Sequence, residues 1–428
     1  MREMKDSGVP WIGEIPKGWK SAKMKHITDS LKSGGTPSSD NPCFYNDDGV
    51  AWVAIGDMVH GGGISETKKH LSQEGIADKS LTTFLPGTLL YSIYASVGKV
   101  SILSIPATIN QAILAISLNE SAFQDYGKYL LMAMSDYVFS LANGNTQFNL
   151  NASIVSNLPI VIPPLNEQHS IADFLDAKCA EIDSILDKTR ASIEDYKKLK
   201  QSVITEAVTK GIRGKRQMKD SGVEWIGEIP KEWTCDKVVR LFETIGSGTT
   251  PKSSDDAAYV GSVNWIQSGD LNGGRLTTCK KHVNEGTLQE YSALKLYRAP
   301  FLVIAMYGAS VGNTSVSTID GCVNQACCVL KGSKLDEQYA FYAIKSIKDY
   351  LLYNAVGGGQ PNIGQDTIKS SWLPLPSEQE QKEIAAYLDK KCAAIDSLIT
   401  SKEALITELE AYKKSLIYEY VTGKKEVL

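Results

Sequence analysis

The chain is 428 residues long, 43% hydrophobic, and carries a formal net charge of -4. That length is about two to three times a common domain and the apolar content suffices for real cores, so disorder is excluded and two domains are expected. No apolar run approaches the roughly 20 residues of a membrane span, and the opening "MREMKDSGVPW" is charged and lacks the apolar stretch of a signal peptide. A soluble, cytoplasmic protein is the expectation, and its slightly acidic balance means that any grip on a polyanion must come from local basic patches.

In chain order, "MKDSGVPWIGEIPKGW" from Met4 returns as "MKDSGVEWIGEIPKEW" from Met218, and the register holds onward at an offset of roughly 213 residues. "SGGTPSSD" from Ser33 meets "SGTTPKSSD" from Ser247, "VAWVAIGDM" from Val50 meets "VNWIQSGDL" from Val263, and "NQAILAI" from Asn110 meets "NQACCVL" from Asn324. Trp11, Trp19 and Trp52 have mates in Trp225, Trp233 and Trp265. Between these islands the copies differ freely, as in "FYNDD" from Phe44 against "AAYVG" from Ala257. A whole-chain duplication with local divergence implies one frame carrying two different surfaces.

Each copy has two parts. The first, residues 1–164 and again 215–376, mixes strand-like runs such as "GTLLYSIYA" and "APFLVIAMYG" with Gly, Asn and Pro turns and a helical segment near "YGKYLLMAMSDYVFSLA". The second, residues 165–214 and 377–428, follows the prolines of "IPPLNEQ" and "LPLPSEQEQ" and reads as a long helix. Its apolar residues fall at steps of four and three: Leu175, Cys179, Ile182, Leu186, Ile193, Tyr196, Val203 and Ala207, then Leu388, Cys392, Ile395, Ile399, Ile406, Leu409, Leu416 and Tyr420. That is a heptad seam, interrupted by Thr189, Lys200, Lys402 and Lys413. Each helix would span roughly 60 Å, and the seam alone allows either a parallel or an antiparallel pair. The eight cysteines form no CxxC pair and only five histidines are present, so the thiols read as reduced and mostly buried, and no metal is expected.

The paired "WIGEIP" openings, the two variable domains, "PPLNEQ" and "PSEQEQ" leading into "ADFLDAKCAEID" and "AAYLDKKCAAID", and the closing "ITEAVTKG" and "YEYVTGK" form an ordered set. In this set the whole chain resembles the specificity subunit of a type I restriction-modification system. The resemblance implies an α/β (α+β) fold with two pseudo-symmetric globular target recognition domains, separated by two long helices in an antiparallel coiled coil. Each recognition domain would read one half of a split double-stranded DNA site, and the coiled coil would set the gap and dock two methyltransferase subunits, through which restriction subunits join. It further implies a chain without catalytic residues, with S-adenosylmethionine, ATP and magnesium on the partner subunits. Physically, two unlike readers on a stiff spacer select a bipartite sequence with an unread centre.

Candidate DNA contacts follow from what the copies share and where they differ. Ser33, Gly34 and Thr36, with Ser247, Thr249 and Thr250, offer hydroxyls and glycine backbone to a phosphate, or form a plain turn before a strand. Lys68, Lys69 and His70, with Lys280, Lys281 and His282, persist while their neighbours change, which suits a sequence-independent phosphate grip or a solvated charge run. Tyr94, Ser96 and Lys99 match Tyr307, Ser310 and Asn313 on a glycine-containing bend, and Lys99 against Asn313 is a difference that changes base preference. Gln147 with Asn149 and Gln360 with Asn362 suit loop fixing or phosphate contact. Asn110-Gln111 and Asn324-Gln325 carry amides that pair with adenine, but their identity in both copies favours internal hydrogen bonds. For the same reason Trp11, Ile15, Trp19 and their mates read as packing that wedges each globular part against a helix end.

"NPCF" at Asn41 approaches the Asn-Pro-Pro-aromatic motif of adenine methyltransferases but lacks its second proline and any glycine-rich cofactor loop. No phosphate-binding lysine loop and no paired acidic cluster is present, so catalysis is not expected. The alternative reading is a tandem-repeat coiled-coil scaffold whose globular parts bind protein or glycan.

Overall fold

The structure, a computed structural model, describes residues 2–94, 96–141, 150–252, 254–355 and 362–427. It divides into two compact units, Met1–Thr189 with Ala404–Leu428, and Arg190–Glu403. Each unit owns one globular head, the start of the long helix that follows that head, and the end of the other long helix. Among the described residues no helix is long and apolar enough to cross a membrane.

In the first head, fully buried runs such as Leu89–Ser92 form the middle of a five-stranded sheet. Its order is Thr28–Ser33, Ile113–Leu118, Leu89–Ser92, Val100–Leu103 and Gly63–Ile64, antiparallel except for the last pair. A second sheet sets Tyr45–Val53 between Ala107–Ile109 and His70–Leu71. The second head repeats both, with Phe242–Ser247, Cys327–Ser333, Phe301–Ala305, Thr314–Ser317 and Arg275–Leu276 in one sheet and Val263–Ile266 at the centre of the other. The copies part at that central strand, nine residues long in the first head and four in the second. The helical segment near "YGKYLL" is two helices, Gln124–Ala133 and Ser135–Ser140.

The long helices run Leu165–Lys210 and Glu378–Val421, beginning one or two residues past a proline that fits a helix start but not its interior. Along the seam Leu175, Cys179, Ile182, Leu186, Ile193, Leu388, Cys392, Ile395 and Leu416 are buried, and Tyr196, Val203, Ile399, Ile406 and Leu409 are half-buried. Pairs within each unit settle the direction. In the first, Phe174 lies 4.4 Å from Tyr420 and Lys413 donates to Asp183 at 2.6 Å. In the second, Lys200 donates to Asp396 at 2.6 Å and Arg213 to Glu383 at 2.8 Å. Residue numbers rise on one helix as they fall on the other, so the seam is antiparallel. Its polar interruptions are all partnered: Lys200 and Lys413 as above, Lys402 over the Tyr196 ring at 5.7 Å, and Thr189 through its own helix, donating to the Ile185 carbonyl at 2.7 Å.

The repeated opening forms the joint between head and helices. Trp19 and Trp233 are each 1% exposed. Trp19 Nε1 donates to Glu167 Oε2 at 3.1 Å, and Trp233 Nε1 to Glu380 Oε2 at 2.8 Å. Arg2 and Arg216 pair with the same two glutamates at 2.6 Å, the latter contact lying off the hydrogen-bond line. From the other side the end of the opposite helix closes in: Leu416, Ile417 and Val421 share a core with Ile15 and Trp19, and Ile204, Ala207 and Val208 share one with Ile229 and Trp233. Both helices stop at a glycine with positive φ, Gly423 at +72° and Gly211 at +75°. A Cβ there would come within 3.0 Å of the Trp19 ring or 3.1 Å of the Trp233 ring. This is the wedge expected of the tryptophans, and it explains why the opening occurs twice. A second tether repeats too, with Tyr129 donating to Asp176 at 2.6 Å and Tyr342 to Asp389 at 2.7 Å.

Some joint residues differ between copies, and among them Met132 in the first head stands where Lys345 stands in the second. Lys345 Nζ donates to the Gly273 carbonyl at 2.8 Å and lies 4.8 Å from the Phe341 ring centre. Burial, helped by the nearby Lys200 charge, lowers its pKa to about 8.

Two outcomes follow. The lowered folded-state pKa of Lys345 lies below the 10.5 of a free lysine, so between these values the unfolded chain binds more protons and stability rises with pH. Lys345→Met should therefore raise the melting temperature at pH 7 by about 2–4 °C and flatten that rise. An unchanged slope in a pH series of melts would contradict it. Glu380→Ala strips a carboxylate only 3% exposed from Arg216 and Trp233, and should cost about 3–5 kcal/mol in denaturant titration. Glu167→Ala, at a carboxylate 27% exposed, should cost clearly less.

Candidate nucleic-acid interface

The "SGGTP" segment leaves its strand pressed against the turn at Asn110. A Cβ on Gly34 would fall 1.8 Å from the Ile109 carbonyl oxygen, and one on Gly248 1.6 Å from that of Val323, so only glycine permits the approach. The amides of Gly34 and Gly35 donate to Ile113 and Ile109 at 3.4 and 3.0 Å, and that of Gly248 to Asn324 at 3.4 Å. These N–H groups are used inside the fold and do not form the phosphate cradle considered from sequence. The threonine hydroxyls remain at the surface side: Thr36 donates to Gln111 Oε1 and Thr250 to Gln325 Oε1. Ser33 is exposed and Ser247 half-buried at the strand ends, and the Thr249 carbonyl accepts from Trp265 Nε1 at 3.3 Å.

Lys68, Lys69, Lys280 and Lys281 are exposed, with His70 and His282 half-buried beside them on short strands. The Lys68 amide donates to Asp57 and the Lys280 amide to Asp270, both at 3.4 Å. Lys69 Nζ lies 5.5 Å from the Tyr45 ring centre and Lys281 Nζ 5.9 Å from that of Trp265. Tyr45 in turn donates its hydroxyl to Pro37 at 3.1 Å, as Tyr259 does to Pro251 at 2.7 Å. Lysine pair, aromatic ring and Thr-Pro loop thus form one patch in each head, and in the first head Ser39, Tyr45, Asn46 and Lys68 to His70 line an open groove.

The bend carrying Tyr94 is tied to the turn that follows Asn110-Gln111, because the Ile93 amide donates to Ala112 at 2.8 Å; Met306 does so to Ala326 at 2.7 Å in the second head. Tyr94 is 37% and Tyr307 38% exposed. Ser96, Lys99 and Ser310 are half-buried, and the Lys99 amide donates to Ser92 Oγ at 2.8 Å. Asn313 is half-buried like Lys99, and its side-chain oxygen accepts from Lys348 on the neighbouring helix at 3.0 Å. Gln147, Asn149 and Gln360 lie outside the described residues, and Asn362 pairs with Tyr307 in a short bridge.

The Asn-Gln dipeptides divide into two jobs. Asn110 and Asn324 are internal, each side-chain oxygen accepting the amide two residues on at 3.1 Å. Gln111 and Gln325 point to solvent beside the exposed tyrosine. Sequence reasoning treated each dipeptide as a unit and so missed the glutamines. The available signal was that a turn needs only its first residue to cap it. "NPCF" is a local turn, with Asn41 Oδ1 accepting the Cys43 amide at 3.2 Å. The cysteines are free, and burial pushes the Cys322 and Cys328 thiols up to about 12, which leaves them inert.

The sequence profile of the type I restriction modification DNA specificity domain matches this chain twice, over residues 16–195 and 230–411. The MjaIX specificity subunit of a type I restriction enzyme from Methanocaldococcus jannaschii is 23% identical, covering 97% of this chain and 95% of its own length. The EcoBI specificity subunit of Escherichia coli is 21% identical, covering 99% of this chain and 90% of its own length. In fold, a chain from a structure concerned with assembly and conformational transition of the type I R-M system superposes with a TM-score of 0.69 at 18% identity, covering 96% of this chain and 99% of that one. With two tandem matches spanning both heads and most of both helices, the chain belongs to the type I restriction-modification DNA specificity family.

Proposed function

We propose that this chain is the non-catalytic DNA-reading subunit of a type I restriction-modification complex. Each head reads one half of a bipartite double-stranded site. The antiparallel helices set the unread gap and dock two methyltransferase subunits, and restriction subunits join through those. S-adenosylmethionine, ATP and magnesium bind on the partners, and the complex works in the cytoplasm. The observation that carries this reading is a surface patch built twice on one frame, with an exposed lysine pair, an exposed tyrosine and a threonine-held glutamine in each head. The cationic and hydrogen-bonding groups suit phosphates and base edges, and the net charge of -4 is consistent with a partner that supplies further phosphate contacts. The scaffold alternative loses its ground because both heads fall within the matched DNA specificity domains.

Replacing Met4 to Pro164 by the equivalent segment of another family member should change the bases required in one half-site and leave the other untouched, read by binding to duplex libraries. Loss of both half-sites together would overturn the two-reader assignment. Lys68→Ala with Lys69→Ala should weaken binding without altering base preference and reduce the slope of log K against log salt by about 2. An unchanged slope would remove these lysines from the phosphate contacts.

A further inference from the structure

Gln111 and Gln325 are the same residue at the same exposed place in two heads whose neighbouring surfaces differ. Each is held by a threonine hydroxyl, Thr36 or Thr250, and each follows an asparagine that pins its turn. A glutamine restrained at both its backbone and its amide loses little freedom on binding, which favours contact with a ligand over a solvated side chain. With Oε1 accepting from threonine, the carboxamide of an exposed glutamine keeps its Nε2 donors and a second lone pair on Oε1 for a ligand. Adenine presents N7 as acceptor and N6 as donor in the major groove, and a carboxamide matches both. A phosphate grip is the weaker use, since each patch already holds two exposed lysines for that purpose.

Resting on the DNA-reading function above, we propose that Gln111 and Gln325 each read an adenine, a base that the two otherwise different half-sites share, with Thr36 and Thr250 as positioning residues. Tyr94 and Tyr307 border the same contact from the adjoining bend.

The test uses the full chain assembled with its methyltransferase and synthetic duplexes carrying every base pair at each half-site position. In Gln111→Ala, binding to the cognate duplex should fall about 5- to 150-fold, and discrimination should vanish at one A·T position of one half-site. Gln325→Ala should do the same in the other half-site. 7-Deazaadenine at those positions should reproduce the loss in wild type and add nothing in the matching variant. Thr36→Val should give a smaller loss at the same position as Gln111→Ala, with the melting temperature unchanged. Uniform weakening across all sequences, wild-type affinity in both alanine variants, or half-sites without a shared adenine would each overturn the assignment. Absence of any bipartite preference in the wild-type complex would instead overturn the function on which it rests.

Discussion

A buried indole bonded to a helix-borne carboxylate, made twice, is the contact on which the rest of this structure depends. Trp19 and Trp233 have almost no exposed surface, and their only polar atoms donate to Glu167 and Glu380 in the first turn of each long helix. An indole N–H buried without a partner would cost roughly 1–3 kcal/mol, and an unpaired carboxylate more, so the two groups hold each other in place. Around this bond the apolar faces of the opening segment meet the end of the opposite helix, where Gly423 and Gly211 let the backbone run against the ring. One short segment therefore anchors a head to both helices at once.

From that joint the seam can run in only one direction. The residues that meet the tryptophan are the start of one helix and the end of the other, and the ion pairs further along, Asp183 with Lys413 and Lys200 with Asp396, keep the same opposed order within each unit. The pairs are partly exposed and contribute little to stability on their own. Their value is in register, since a parallel alignment would put Asp183 beside its own repeat Asp396 and leave like charges opposed. A frame fixed in this way leaves the rest of each head free to vary, as the central strand of the second sheet does, at nine residues long in one head and four in the other.

Much of this was legible before any coordinates. The duplication, the heptad seam, the proline-marked helix starts and the packing role of the tryptophans all depend on local periodicity or on identity between copies, which sequence displays directly. The arginine partners Arg2 and Arg216 were not legible, because their glutamates lie 165 and 164 positions away. Nor was the hydrogen bond from Lys348 to Asn313, since a side chain's partner depends on which loop the neighbouring helix lies against. The candidate site was half visible for the same reason. Shared lysines and tyrosines stood out, whereas the exposed glutamines were hidden inside a dipeptide whose first member is structural.

The antiparallel seam is the central claim, and it can be measured without DNA or partners. Spin labels placed at 183 and 413, and separately at 200 and 396, should report short distances in both double-labelled chains, with labels at 183 and 396 much farther apart. A short distance between 183 and 396, with long ones in the other two pairs, would mean the helices run parallel and would contradict the frame described here.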